Sequence, residues 1–281
     1  MGEPGSVIFL HLPKTAGSTL RGVMVRQYDP AESHLIARPV WDNFEAFKAW
    51  PEAERHRIRF LYGHMGFGLH AWMKPPVTYA TMLRDPVERV LSHFHSARSG
   101  TVAELRGRIP REMTVGDYVR EQVSGELDNG QVRLLSGEPF VEFGGVTRDH
   151  LEAAKVHLRD HFAVVGVTER FDEALVMMRD ALGWRRRIAY LRRNVTAEPR
   201  ARVSAEDLAV VRDASRLDAE LHAYAAETFD RRVAGLGPRF QRRLRAFRAA
   251  NALYQAAGTL AAPWIRRRRP APGLPDAAPR S

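Results

Sequence analysis

The chain has 281 residues, 44% of them hydrophobic, so it can bury a full core, and its length fits one large domain better than two small ones. It contains no cysteine, which excludes a disulfide framework and a thiolate metal site. The formal net charge is +10, but the residues from Pro238 onward hold ten arginines against the single acid Asp276 and leave only +1 for the first 237 residues. This distribution argues against a general nucleic-acid-binding face, so we expect no nucleic-acid partner.

Short strands alternate with helices along the first 237 residues. Strands are predicted where buried β-branched and aromatic residues cluster, at 7–11, 59–62, 78–83 and 161–167. Helices are predicted from apolar spacing and capping residues at 18–27, 86–98, 114–124, 148–159, 171–182 and 204–229. The alternation predicts an α/β fold, a parallel sheet flanked by helices in which ligands bind beyond the carboxyl ends of the strands.

The C-terminal part has a different composition, so we predict a domain over 1–237 and a basic tail over 238–281. The tail reads as an Arg/Ala-rich helix over 239–257, a run of four arginines and a Pro/Ala-rich end that we expect to be disordered. The helix either packs on the domain or lies on an anionic membrane surface through apolar positions set among arginines. These positions are Phe240, Leu244, Phe247, Leu253 and Tyr254, with Trp264 as an anchor.

No stretch of the sequence resembles a secretory signal or a membrane span. The apolar run at the first strand is too brief for a signal-peptide core, and no apolar run reaches membrane-spanning length. Together with the absence of cysteine, this predicts a cytoplasmic protein, with membrane contact only at its surface.

The first strand leads into the loop HLPKTAGSTL, which has the features of a phosphate cradle. Small residues at Ala16, Gly17 and Ser18 let backbone N–H groups approach an anion at the start of a helix. Ser18 and Thr19 add hydroxyl donors and Lys14 adds a mobile charge. The loop departs from the GxxxxGK[ST] pattern because its lysine precedes the glycine. A simple strand-to-helix turn with a capping serine is the alternative.

A second motif, TMLRDPVERVLSHF, begins in the third predicted strand. Arg84 lies just beyond this strand, and Ser92 follows eight residues later within a helix that Asp85 and Pro86 can start. An arginine fork and a hydroxyl that converge in this way suit a terminal phosphate monoester. Alternatively, Arg84 pairs with Asp85 or Glu88, and Ser92 is only a helix residue.

Together the two motifs resemble, in order and in arginine-to-serine spacing, the paired signatures of sulfotransferases that use 3′-phosphoadenosine-5′-phosphosulfate (PAPS). More narrowly, the chain resembles bacterial relatives of the uronosyl 2-O-sulfotransferase group. Three further stretches carry this resemblance: YGHMGF, DNGQVRLLSG and FAVVGVTERFDEAL. The resemblance covers roughly residues 7–233.

The resemblance implies a P-loop-like fold, PAPS as donor, no metal, and a hydroxyl of a carbohydrate or glycoconjugate as acceptor. It implies that His64 is a general base, which deprotonates the acceptor for in-line attack on sulfur. Two residues before this base, where the group commonly has another histidine, the chain has Tyr62. His11 is the alternative base. Asn129, Gln131 and Arg133 either reach donor or acceptor or form a polar helix start. The donor site implied by the resemblance comprises Lys14, Thr15, Ala16, Gly17, Ser18 and Thr19 at the phosphosulfate, Arg84 and Ser92 at the 3′-phosphate, and Arg193 and Asn194 in a loop over the donor.

Two other functions remain open from the sequence. A P-loop kinase or NTPase would need Mg²⁺ and a lysine after the last glycine of the loop, an order that this loop lacks. A non-catalytic nucleotide-binding protein anchored by its basic tail would not need the candidate base at His64, so the presence of that residue favours an enzyme.

Overall fold

The computed structural model describes residues 5–37, 40–191 and 203–268, with side chains described as far as residue 258. Its centre is a sheet of five parallel strands. The strands are β1 (Ser6–Leu10), β2 (Ser33–Ile36), β3 (Phe60–Gly63), β4 (Val77–Leu83) and β5 (Phe162–Val167). They lie in the order β2-β3-β1-β4-β5, so β1 occupies the middle of the sheet. The predicted parallel α/β fold is therefore confirmed.

Helices connect the strands and continue beyond them. They are α1 (Gly17–Met24), α2 (Val40–Ala49), α3 (Glu52–Arg55), α4 (Pro86–Arg98), α5 (Val115–Arg120), α6 (Gly130–Ser136), α7 (Arg148–His161), α8 (Phe171–Ala181), α9 (Ala205–Ala214), α10 (Arg216–Gly235) and α11 (Gly237–Arg268). As predicted, Asp85 caps α4 by accepting the N–H of Glu88 at 2.9 Å, with Pro86 in the first turn.

The central strand β1 contributes to two hydrophobic cores, one on each face of the sheet. Ile8 and Leu10 face a core shared with α2, α6 and α7, whereas Val7 and Phe9 face a core shared with α1, α8 and α11. Because all strands are parallel, β1, β3 and β4 end at the same side of the sheet, which we call the carboxyl edge. Loops that leave this edge are the expected place for a ligand.

Helices α2 and α3 were not predicted and α5 is shorter than predicted, and two further differences have a clear physical reason. Strand β2 was missed because only Ile36 of its four residues is buried, which leaves no apolar run to recognise. The helix predicted over 204–229 is two helices, α9 and α10, that meet at Ser215. Asn129, from a distant segment, explains the break: its Oδ1 accepts the N–H groups of Leu217 and Asp218 at 2.8 and 3.1 Å and so caps α10.

The predicted tail helix is present as α11, and its first turns pack on the domain. Phe240 and Leu244 are fully buried in the core that contains α8, and Phe247 is nearly so. These three side chains follow the first alternative, a helix packed on the domain, whereas Leu253 and Tyr254 are exposed. Among the described residues, no helix is both long and apolar enough to cross a bilayer.

Candidate active site

The loop between β1 and α1 has a backbone shaped for an anion. Lys14 and Ala16 both adopt left-handed conformations, with φ of 68° and 61°, which is uncommon for residues other than glycine and concentrates at functional sites. Ala16 caps α1 without a side-chain hydrogen bond, so the first N–H groups of the helix, at Gly17 and Ser18, point out of its end. Ser18 lies inside the helix and is exposed, so the capping-serine alternative is wrong. Successive N–H groups at such a turn attract anions.

Two other residues of this loop hold its shape. Thr15 is fully buried, and its hydroxyl donates to the carbonyl oxygen of Leu12 at 2.8 Å. Gly17 lies so close to His11 that an added Cβ would be 1.6 Å from the imidazole Nε2, so no larger residue fits without moving the histidine. Thr15 and Gly17 therefore fix the loop that carries Lys14, Ala16 and Ser18.

Lys14 and Arg84 bring two cations together beside this loop. The guanidinium Nη1 of Arg84 donates to the carbonyl oxygen of Lys14 at 3.1 Å, and its Nη2 pairs with Glu88 at 3.3 Å. The ammonium of Lys14 hydrogen-bonds to the hydroxyl of Ser96. Burial and the nearby Arg84 charge lower the pKa of Lys14 below its ordinary value. Both cations gain from an anion placed between them.

The serine predicted with Arg84 lies on the same side of α4 as the groups that contact the two cations. Glu88, Ser92 and Ser96 follow at intervals of four residues, so they lie on successive turns of one helix face. Glu88 pairs with Arg84, and Ser96 hydrogen-bonds to Lys14, which places Ser92 between them. Ser96 was missed from the sequence, because its spacing from Ser92 places it on the same helix face but does not show that it contacts Lys14.

Gln131 holds the backbone of Arg84 in place. Its side-chain oxygen accepts the Arg84 N–H, and its side-chain amide donates to the Arg84 carbonyl oxygen, both at 3.0 Å. Gln131 is fully buried, and its own backbone N–H donates to Asp218 at 3.0 Å. The amide therefore connects the candidate site to the interior.

The polar side chains of the DNGQVRLLSG segment, residues 128–137, bond to other parts of the protein interior. Asn129 caps α10, and Arg133 pairs with Asp128 at 2.6 Å while both are buried. The internal bonds of Asn129, Gln131 and Arg133 favour a structural role over contact with donor or acceptor. The alternative, a polar helix start, is correct at Asn129, which is the residue that precedes α6.

His64 lies just beyond β3 at the carboxyl edge, next to the end of β1. Its Nδ1 is 2.8 Å from the carbonyl oxygen of His11. Because a carbonyl only accepts, Nδ1 must carry the proton, which leaves the lone pair of the neutral ring on Nε2. The imidazole of His64 stacks on that of His11 with 4.2 Å between ring centroids. The structure thus orients His64 as a base whose accepting atom is Nε2.

His11, the rival base, is enclosed beneath the loop. Its ring lies between those of Phe9, at 5.8 Å, and His64, and it also contacts Gly17. Burial, with smaller effects from the charges of His64, Arg21 and Lys14, lowers the pKa of His11 well below its usual range. His11 therefore remains neutral at physiological pH and forms a support for both His64 and the loop.

Two of the predicted donor residues lie outside the described part of the chain, namely Arg193 and Asn194. Within residues 5–37, 40–191 and 203–268, no group of three or more His, Asp or Glu side chains is arranged to hold a metal ion. Lys14, Arg84 and the start of α1 contribute positive charge at the carboxyl edge.

Comparison with known families supports a single assignment. The model of the galactose-3-O-sulfotransferase family matches residues 2–258. The chain belongs to this family. The galactose-3-O-sulfotransferase match extends beyond the predicted limit at residue 233 and includes most of α11. The sequence-based recognition of a carbohydrate sulfotransferase is therefore confirmed.

Two carbohydrate sulfotransferases and one solved structure are among the proteins similar to this chain. The chain is 25% identical to the galactosylceramide sulfotransferase of Bos taurus, covering 87% of this chain and 62% of that one. It is 24% identical to the heparan sulfate 2-O-sulfotransferase 1 of Gallus gallus, covering 63% and 54%. A crystal structure of the mouse sulfotransferase SULT7A1 complexed with PAP matches with a TM-score of 0.40 at 14% identity, covering 76% and 66%. The chain thus spans 62% of the length of the first of these relatives.

Proposed function

We propose that this protein transfers the sulfuryl group of PAPS to a hydroxyl of a galactose-containing glycoconjugate. The observation that carries the proposal is the convergence of Lys14, Arg84 and the start of α1 at the carboxyl edge, beside a histidine whose tautomer is fixed for proton acceptance. The family match supplies the class of reaction and the sugar named in its description.

The residues present suit a donor with two anionic ends. The N–H groups at the start of α1 and the Lys14 ammonium are donors for the phosphosulfate, and the Arg84 guanidinium is a planar donor for a second phosphate. When bound, PAPS supplies an activated sulfuryl group and a phosphate leaving group. Lys14 and the loop N–H groups stabilise the negative charge that grows on the departing oxygen, as preorganised donors that need little rearrangement.

His64 carries out the proton transfer in this proposal. Its Nε2 takes the proton of the acceptor hydroxyl, while Nδ1–H remains bonded to the His11 carbonyl and keeps the ring from turning. The stacked His11 ring stays neutral, so it adds no competing charge beside the base. Orientation of base and cations around one point is the main contribution that this chain makes to the rate.

The proposal is tested by incubating the protein with radiolabelled PAPS and a galactose-terminated glycolipid, and with the same glycolipid after β-galactosidase treatment. We expect label in the first lipid and none in the second. Lys14→Ala should lower turnover more than it weakens binding of adenosine 3′,5′-bisphosphate, because the lysine acts on charge that develops during transfer. Equal labelling of both lipids would contradict the galactoside acceptor, and no labelling of any acceptor would contradict sulfuryl transfer.

A thermal-shift experiment tests the donor without an acceptor. Adenosine 3′,5′-bisphosphate should raise the melting temperature more than ATP with Mg²⁺ does, because ligands that bind only the folded state stabilise it. A preference for ATP with Mg²⁺ would favour a kinase instead. Location in the cytoplasm and contact of the tail with a membrane stay predictions from the sequence.

A further inference from the structure

The segment FAVVGVTERFDEAL carries part of the family resemblance but contributes no residue to the proposed reaction. Two of its side chains, those of Thr168 and Glu169, reach the backbone on either side of Arg84. The Thr168 hydroxyl donates to the carbonyl oxygen of Leu83 at 2.9 Å, and Oε1 of Glu169 accepts the N–H of Asp85 at 2.9 Å. Both residues that flank Arg84 are therefore tied to the end of β5.

These bonds begin where the pairing of two strands stops. Strands β4 and β5 are parallel neighbours whose register ends at Leu83 and Val167. The chain then enters a short 3₁₀ helix, Thr168–Arg170, so the backbone ladder cannot continue and side chains bond to the backbone instead. Because the ladder already joins β4 to β5, the two additional bonds act mainly on the backbone at Arg84.

Gln131 completes the set of bonds around Arg84. Its side chain bonds to the N–H and to the carbonyl oxygen of Arg84, both at 3.0 Å. Four consecutive backbone groups, from the Leu83 carbonyl oxygen to the Asp85 N–H, are thus bonded to side chains from other parts of the chain. The backbone of Arg84 is fixed although it lies between a strand and a helix.

Glu169 is itself held by α10. Its Oε2 lies 3.4 Å from Nε2 of His222. Burial acts to raise the pKa of Glu169, but hydrogen bonds with His222 and with the backbone N–H that it accepts outweigh burial and lower the pKa. The carboxylate is therefore ionised at neutral pH and makes a charge-assisted bond. His222 lies one turn after Asp218, the anchor of Gln131, so one helix supports both side chains that hold the Arg84 backbone.

A fixed backbone suits an arginine that must bind a phosphate. A guanidinium bonds a phosphate through two N–H groups only in a narrow range of orientations. The far end of the Arg84 side chain already contacts the Lys14 carbonyl oxygen and Glu88, and the backbone bonds fix the near end. A side chain that is ordered before binding loses less conformational freedom when the ligand arrives, which raises affinity.

We propose that Thr168 and Glu169 are positioning residues for Arg84, which aim its guanidinium at the 3′-phosphate of the donor without touching the ligand. This inference rests on the proposed function, in which Arg84 binds that phosphate. Loss of Glu169 should then weaken binding of a nucleotide that has a 3′-phosphate and spare a nucleotide that lacks it. A merely structural role would weaken both.

Calorimetry on the full chain with adenosine 3′,5′-bisphosphate and with adenosine 5′-phosphate tests the proposal. Glu169→Ala should raise Kd for the bisphosphate about 3- to 10-fold, the order expected for one hydrogen bond, and leave Kd for the 5′-phosphate unchanged. Glu169→Gln keeps an accepting oxygen for the Asp85 N–H and should restore most of the affinity. Glu227→Ala, which removes an exposed carboxylate paired with Arg231 on α10, is the matched control and should change neither Kd.

A double-mutant cycle shows whether Glu169 acts through the arginine. In an Arg84→Ala background, Glu169→Ala should cause no further loss of affinity for the bisphosphate. A further loss as large as in wild type would overturn the positioning role. The same conclusion would follow if Glu169→Ala bound the bisphosphate as tightly as wild type or more tightly, or lost affinity for both nucleotides equally.

A second variant decides the question if Glu169→Ala does not fold. Thr168→Val removes the hydroxyl that bonds to Leu83 at nearly constant volume and should weaken bisphosphate binding alone, by about 2- to 3-fold; no change would overturn the proposal. These measurements need no acceptor, so they do not depend on transfer. Wild type that binds both nucleotides equally would contradict the 3′-phosphate role of Arg84 and this inference with it, whereas a wild-type preference that Glu169→Ala and Thr168→Val leave intact would contradict this inference alone.

Discussion

Arg84 and Arg89 lie five residues apart at the start of the same helix and have opposite surroundings. Arg89 is completely buried, and its guanidinium pairs with Glu126 and Asp218, each at 3.3 Å. Arg84 is partly exposed at the carboxyl edge, where it stands beside a second cation, Lys14. The comparison shows that residue type does not identify a binding arginine. A buried arginine matched by two carboxylates stabilises the fold, whereas two cations side by side at a strand end are the arrangement that we propose for a ligand.

The largest expected effect is on the rate of sulfuryl transfer, when His64 at the carboxyl edge is replaced. His64→Ala should fold normally and bind adenosine 3′,5′-bisphosphate normally, yet lose transfer by about 10²- to 10⁴-fold, the usual contribution of a positioned base. The wild-type rate should rise with pH, because only the neutral imidazole can accept a proton, and this rise should vanish in the variant. Circular dichroism checks folding and PAPS turnover against pH checks the role.

His11→Ala is the informative companion to this experiment. If His64→Ala is folded and active while His11→Ala is folded and inactive, the base is His11 and the assignment made from the His64 tautomer is wrong. If His64→Ala does not fold, His64 has a structural role, as Arg89 does.

The second prediction concerns the buried ion pair between Arg89 and Asp218. Asp218→Ala leaves the Arg89 guanidinium buried with one of its two carboxylates missing, and it removes the acceptor for the N–H groups of Gln131 and Val132. We expect the free energy of unfolding to fall by about 3–5 kcal/mol. Glu220 lies on α10 as Asp218 does, but its pair with Arg148 of α7 is exposed, so Glu220→Ala is the matched control and should lower the free energy of unfolding far less than Asp218→Ala. Urea unfolding of both variants measures the difference, and equal losses would contradict the contrast.

The third prediction concerns Arg84 itself. Arg84→Ala should weaken binding of adenosine 3′,5′-bisphosphate by about 1.5–3 kcal/mol, since a charge-assisted bond present throughout the reaction is lost. Arg57→Ala, at an exposed position just before β3, should leave the affinity unchanged. Calorimetry that finds wild type binding adenosine 5′-phosphate as tightly as the 3′,5′-bisphosphate would refute a 3′-phosphate role for Arg84.

The last prediction concerns stability in acid, and at neutral pH, where His34 is uncharged in both states, we expect no effect from its titration. His34 packs between Phe47 and Trp50, and burial lowers its pKa to about 4. Since the unfolded chain binds the proton near pH 6.5, the unfolded state holds more protons between about pH 6.5 and 4, and stability falls as pH drops through this window. His34→Phe should make the free energy of unfolding less dependent on pH there. An unchanged slope in urea unfolding at several pH values would contradict this.

Local patterns made much of the architecture predictable. The buried runs of β1, β4 and β5 and the Asp85-Pro86 start of α4 are signals carried by adjacent residues, and all are present. The loop between β1 and α1 was likewise predictable, because small and polar residues cluster in it. These features need no knowledge of distant contacts.

The rest depends on contacts between distant parts of the chain. Asp218 bonds to both Arg89 and Gln131. It lies 129 residues after Arg89 and 87 residues after Gln131 along the chain. Ser96 contacts Lys14 across 82 residues, and β2 is recognisable only by its pairing with β3. No periodicity or spacing encodes such pairs, so the sequence left Asn129, Gln131 and Arg133 ambiguous between ligand and interior.

The hydrogen bond between Gln131 and Asp218 also determines at what point during synthesis the candidate site can form. Gln131 holds the Arg84 backbone, but its segment is anchored by a carboxylate that follows 87 residues later. At about 5–20 residues per second, that carboxylate is added roughly 4–17 seconds after Gln131. Arg84 and the loop at Lys14 are thus synthesised early but acquire their final support only when α10 has left the ribosome. A chain stalled before residue 218 carries both motifs without the contacts that fix them.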